Sequence, residues 1–224
     1  MPAAPFSVTP YEQEAKESVG HELNALAHKY GVPTARCHLI SGAPAFNEIC
    51  ELADEIRADL IVMPTHGRTG LEHMFLGSTS ERTVRHSPCP VLVMREPGDR
   101  LSEHKAGYKN ILVPVDFSDC SRQGLRYAIR FAERFGAELI VLHVIPLPYA
   151  YVSDIYGMHQ PPLPEVEARK GAARRMEQFL QAVEFGVVKV QTAITTGAPA
   201  PEISSFAAQQ SINLVITSTH GVGG

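Results

Sequence analysis

Residues 110–144 read NILVPVDFSDCSRQGLRYAIRFAERFGAELIVLHV. Asn110 to Val115 is a continuous apolar run, which is the pattern of a strand buried on both faces. Ser118 then offers an N-cap hydroxyl. Leu125, Ala128, Ile129 and Ala132 recur at helical spacing until Gly136, a residue suited to the left-handed turn that closes a helix. Leu139 to Val144 is a second continuous apolar run. Strand, helix and strand within 35 residues make a parallel unit whose sheet must be covered on both faces.

The same alternation continues downstream. A Pro-rich segment from Pro146 to Pro164 leads to a predicted helix from about Glu165 to Val183, a strand over Val188 to Thr195, a short helix after Pro201 and a strand over Leu214 to Ser218. Upstream the spacing predicts a helix from about Pro10 to His28 and a strand near Ala35 to Ile40. A helix striped by Ile49, Leu52, Ala53 and Ile56 follows, then a strand over Leu60 to Met63, a helix over Ser80 to His86 and a strand over Val91 to Met94.

These halves are copies of one another. Gly42-Ala43-Pro44-Ala45 recurs as Gly197-Ala198-Pro199-Ala200. With a one-residue deletion, Glu48-Ile49 then matches Glu202-Ile203, Leu60 matches Leu214, and Thr65-His66-Gly67 matches Thr219-His220-Gly221. The phase of the repeat predicts that each copy is incomplete. Residues 1–98 are the C-terminal part of a first domain lacking its first strand, first helix and second strand. Residues 99–109 are a linker. Residues 110–224 are the N-terminal part of a second domain lacking its last helix and strand, so that an intact parent would need about 300 residues.

Composition narrows the function. The chain has 224 residues, 44% hydrophobic and 20% charged, with a formal net charge of -4, which gives no reason to expect nucleic acid or an anionic membrane as partner. Its apolar runs are too short to span a bilayer. Cys37, Cys50, Cys89 and Cys120 are scattered without metal-ligand spacing, and the ten histidines form no HExxH, so no metal site is predicted.

Two constellations carry chemistry. Pro114-Val115-Asp116-Phe117-Ser118 ends a buried strand, where ligands gather in open α/β sheets. Asp116 there can accept hydrogen bonds from a ribose or an adenine amino group, or it and Ser118 can simply start the helix. Pro64-Thr65-His66-Gly67 is followed by nine residues and then Gly77-Ser78-Thr79-Ser80. Glycines let the backbone approach phosphate oxygens, and hydroxyls at a helix start add donors; the same residues also suit an ordinary capped strand-to-helix turn.

The run VMPTHGRTGLEHMFLGSTSERTVRHSPCPVLVM (62–94) resembles the C-terminal signature of the universal stress protein family, and the run 110–144 resembles its N-terminal signature. The resemblance implies a Rossmann-like parallel α/β sheet of the adenine nucleotide alpha-hydrolase type, strand order 3-2-1-4-5, in two tandem copies. It implies homodimers or tandem pairing through a sheet edge, a cytoplasmic stress-response role, and no enzyme activity beyond at most a weak ATPase. Members that bind ATP carry G-x-x-G, nine residues, G-[ST]. Gly67, Gly77 and Ser78 match it, while Pro64 replaces the first Gly after Met63. In the second copy Ser218 stands there and Gly221 matches the next place. By the same resemblance Asp116 and Val144 would face adenosine. Asp116 with Gly77-Ser78-Thr79 favours a binding module for ATP or another adenine nucleotide. Pro64 and Ser218 favour a non-nucleotide interaction protein that dimerises through its sheet edge.

Overall fold

Two blocks of chain build separate sheets in the computed structural model, which describes residues 10–65, 77–94, 107–146 and 165–219. The division falls between Glu96 and Pro97, and each unit is taken by itself. The first contains α1 (Pro10–Lys29), α2 (Ala45–Glu55), β1 (Ile61–Pro64), α3 (Ser78–His86) and β2 (Val91–Met94). The second contains β3 (Asn110–Pro114), α4 (Asp119–Phe135), β4 (Glu138–Ile145), α5 (Glu165–Gln181), β5 (Val190–Thr196), α6 (Pro199–Gln209) and β6 (Leu214–Val215).

The second unit is an α/β layer with a parallel sheet in the order β5-β4-β3-β6. Its strands are short apolar runs, so each must be hidden on both faces. Ile111, Val113, Leu139 and Val141 point to one face, where they meet Leu125, Ala128, Ile129 and Ala132 of α4 and Met176 and Phe179 of α5. Leu112, Leu142 and Val144 point to the other, where Ile203, Phe206 and Ala207 of α6 cover them. Burial of each such side chain contributes about 1.5–3 kcal/mol. Asn213 closes the bottom of the sheet: its Oδ1 accepts from Lys109 N (2.9 Å) and Asn110 N (3.0 Å), fixing the start of β6 against that of β3.

Both ends of α4 are built as the sequence predicts. Ser118 Oγ accepts from Ser121 N at 3.1 Å, and Gly136 closes the helix at φ 65°, a conformation that costs glycine nothing. Ser118→Ala is expected to lower stability by about 1 kcal/mol, read as a lower urea midpoint with unchanged slope. An unchanged midpoint would show that the cap carries no weight. The repeated Gly-Ala-Pro-Ala has a packing cause. A Cβ on Gly197 would lie 2.7 Å from the Glu202 side chain in the first turn of α6, and a Cβ on Gly42 would collide with Glu48 in α2.

In the first unit β1 and β2 form a two-stranded parallel sheet, Ile61 opposite Val91 through Pro64 opposite Met94. Helices α2 and α3 pack on each other, with Ala53 and Thr83 buried between the elements. Ala53 is the one buried hydrophobic among the described residues of this unit. Two expectations are corrected. Residues 35–40 form no strand and are exposed, because an extended segment is held only by a neighbouring strand and no described residue supplies one. The last strand of the second unit is Leu214–Val215 rather than reaching Ser218. Ile216 N still donates to Leu112 O, after which the chain leaves the ladder.

Candidate functional site

Strand β3 is where the connections reverse. From it the chain moves outward through β4 to β5, then returns across the sheet to place β6 on the opposite side. Crossovers on the two sides diverge at such a point and leave a crevice beyond the carboxyl ends of the strands. A cleft of about 220 Å³ lies there. Its floor is Pro114, Val115 and Asp116 of the β3 end and Leu142, His143 and Val144 of β4. Its walls are Pro199 and Ile203 of α6, Ser121 of α4, and Thr217, Ser218 and Thr219 after β6. The volume is below the roughly 300–1,000 Å³ of sites that enclose a drug-sized ligand, so it suits one part of such a molecule.

The cleft therefore unites Pro114, Val115, Asp116, Val144 and Ser218 among the residues singled out from sequence. Ser121, Leu142, His143, Pro199, Ile203, Thr217 and Thr219 were not singled out. Pro199 and Ile203 sit in the repeated Gly-Ala-Pro-Ala and Glu-Ile motifs, and that recurrence was the available clue. Met63, Pro64, Gly77, Ser78, Thr79 and Ser80 gather instead in the first unit. There Ser80 is buried and its Oγ donates to Pro64 O (3.0 Å), while Gly77 N donates to Thr65 O (2.8 Å). These bonds clamp the start of α3 to the end of β1, so the Ser80 hydroxyl serves the fold. Gly67 and Gly221 lie outside the described residues.

The geometry of Asp116 is that of the helix-start reading. Its Oδ1 accepts from Ser118 N (3.0 Å) and Ser118 Oγ (2.6 Å), closing a tight turn ahead of α4. Phe117, between them, has φ 68°, which costs a non-glycine residue about 1–2 kcal/mol. An aromatic stack holds it there: its ring lies 4.2 Å from the His143 ring and 5.6 Å from Phe179, with the Arg175 guanidinium 5.1 Å away. Asp116 is half-buried and lines the cleft.

His143 is 6% exposed, on the face of β4 that packs against α4 and α5. A carbonyl can only accept, so its Nδ1–H donates to Val115 O at 2.8 Å and the neutral ring carries no proton on Nε2. Nε2 is buried without a hydrogen-bond partner among the described residues. Burial lowers the ring's pKa; the Val115 carbonyl opposes this, Arg175 adds to it, and Asp116 opposes it. The unfolded chain, with an ordinary histidine near 6.5, therefore binds the proton more readily. Stability is complete above about pH 6.5 and is expected to fall as the pH drops below it. The unfolding midpoint between pH 7 and 5 tests this, and His143→Leu should flatten that portion; an identical slope in the variant would assign the acid loss elsewhere. Burial also pushes the Cys50 thiol up, with Cys89 adding to the effect, so Cys50 is not an activated nucleophile.

Among the described residues no group of three His, Cys, Asp or Glu side chains comes together, and no helix is long and apolar enough to cross a membrane. A universal stress protein of Methanocaldococcus jannaschii is 42% identical over 86 residues, covering 38% of this chain and 49% of the relative. One of Thermus aquaticus is 43% identical over 82 residues, covering 37% of this chain and 57% of the relative. The chain thus spans about half the length of these relatives. The crystal structure of a universal stress protein from Archaeoglobus fulgidus superposes on 95% of this chain and 72% of its own, with a TM-score of 0.60 at 20% identity, a likeness of fold. The model of the universal stress protein family matches residues 1–95 and again 107–224. With the observed strand order and the internal repeat, those two matches establish that the chain belongs to the universal stress protein family.

Proposed function

We propose that the second unit is a stress-response binding module whose cleft takes the adenosine part of ATP or another adenine nucleotide. The observation that carries this reading is the Asp116 carboxylate at the switch point of the sheet, opposite apolar surfaces from Leu142, Val144 and Ile203. A ribose offers hydroxyl donors to a carboxylate, and a purine offers two flat faces to aliphatic side chains. The hydroxyl-bearing residues Thr217, Ser218 and Thr219 and Pro199 in the first turn of α6 also line the cleft, and they are the groups proposed to meet the phosphates. In the first unit Gly77, Ser78 and Thr79, at the start of α3, match the corresponding places of the family pattern.

The role proposed is binding in the cytoplasm, with at most a weak ATPase activity. The second reading, an interaction protein that pairs through a sheet edge, is favoured by β6, which ends its sheet after two residues. Thermal unfolding of the chain with ATP, AMP or UTP separates them. At 100 times Kd an adenine nucleotide should stabilise by about 2.7 kcal/mol, with a smaller effect from UTP. No shift with any nucleotide would favour the interaction reading, and an equal shift with UTP would remove adenine recognition.

A further inference from the structure

Both residues that flank Asp116 touch one side chain, that of His143. Val115 ends the β3 ladder: its N–H donates to Leu142 O (2.8 Å), and its carbonyl accepts from His143 Nδ1–H (2.8 Å). Phe117 lies against the same imidazole, with ring centroids 4.2 Å apart. Its φ of 68° is one that a bulky residue avoids unless packing imposes it. His143 thus grips the chain on either side of the acidic residue that lines the cleft. The second unit alone buries it, between β3 and β5 and beneath α4 and α5.

The grip depends on an uncharged ring. Nε2 is buried and has no hydrogen-bond partner among the described residues, so a proton there would put a full charge in apolar surroundings. On α5, Arg175 repels such a charge, its guanidinium 5.1 Å from the Phe117 ring, and Arg169 donates to the carbonyl of Ile194, the residue opposite His143 on β5. On α4, Arg122 lies over the Phe179 ring and pairs with Asp119 at 2.8 Å. Asp116 attracts a charged ring, but its Oδ1 is engaged by Ser118 N and Ser118 Oγ. Burial, with Arg175 beside it, outweighs the Val115 carbonyl and Asp116, and the ring sheds its proton more readily than an ordinary histidine. Once protonated it would turn toward water, freeing Val115 O and removing the stack that holds Phe117.

We propose that His143 is a positioning residue for the adenosine cleft: its neutral imidazole holds Val115 and Phe117, and through them the Asp116 turn, in the conformation that binds, and its protonation releases that turn. This rests on the reading of the cleft as an adenosine site and adds a regulation to it. Ligand held at neutral pH is let go on acidification, through a side chain packed under α4 and α5 rather than through the phosphates.

Adenosine is the probe, because it carries no phosphate and its base stays unprotonated above pH 5. Calorimetric titration, with the fold checked by circular dichroism, should show binding weakened about threefold or more between pH 7.5 and 5. His143→Asn offers an amide donor near the place of Nδ1 and takes up no proton. It should flatten the profile and bind more tightly than His143→Leu, which has no donor. In the free, unaltered chain the amide resonances of Val115, Phe117 and Ser118 should move with pH over the range in which affinity falls. A slope that survives in His143→Asn, or amides at 115–118 that do not respond to pH, overturns the proposal and leaves the adenosine site standing. Responsive amides in a chain that takes up no adenosine at pH 7.5 would overturn the adenosine reading instead, and with it the regulation of binding.

Discussion

Truncating Leu139 to alanine is expected to destabilise the second unit by about 3–5 kcal/mol, the upper part of the range for buried leucines. Leu139 is fully buried at the start of β4, among side chains from β3, α4 and α5. Both helices are held by several buried residues of their own, Leu125, Ala128, Ile129 and Ala132 on α4 and Ala172, Met176 and Phe179 on α5, so neither can collapse into the void. Leu142 is equally buried three residues on, but on the opposite face. Its cover is α6, which buries none of its own residues completely, and the cleft opens beside it. Leu142→Ala is therefore expected to cost less, about 2–3 kcal/mol, because α6 can settle inward. Guanidinium unfolding followed by circular dichroism, with exchange of β4 amides reporting on this unit, measures both. Equal losses would mean that the two faces are equally rigid. Against a typical domain stability of about 5–15 kcal/mol, the Leu139 variant has little in reserve.

Asp116→Asn should weaken adenine nucleotide binding by about 10- to 150-fold, the range that follows from about 1.5–3 kcal/mol for hydrogen bonds to a charged group. The substitution is chosen because an asparagine carbonyl can still accept from Ser118 N and Ser118 Oγ, so the turn into α4 persists. The negative charge is lost, and with it the strength of any bond from a ribose hydroxyl. Calorimetric titration measures the affinity, and the unfolding midpoint of the free variant shows whether the turn survived. Unchanged affinity with an intact midpoint would mean that Asp116 serves only as a helix starter. A loss of both would leave the binding role of the carboxylate without support.

The residues that gave the fold away are those whose state is decided locally. Ile111 to Val113 and Leu139 to Leu142 are apolar without alternation, which only a strand covered on both faces tolerates. Ser118 and Gly136 bound α4 because capping involves neighbours along the chain. The strand expected over 35–40 failed for the opposite reason. Its Ile40 is a good strand former, but a strand is held by its ladder, and propensity yields where no described residue supplies one. The cleft was legible in part. Asp116 was readable from its place at the end of an apolar run, and Val144 and Ser218 only through the family resemblance, whereas Ser121, His143 and Ile203 could be found only once the helices were in place.

By itself the sequence determined the α/β class, the doubled unit, the helix ends and the acidic strand terminus, because periodicity, capping and repetition act over a few residues or are written twice. Tertiary structure alone decided which face each strand residue serves, the burial of His143 beneath Phe117, and the walling of the cleft by α6 and the segment after β6. Those depend on chain segments about a hundred residues apart, such as Asn213 holding Lys109 and Asn110. Closing so long a loop costs entropy that no local pattern records and only the assembled sheet offsets.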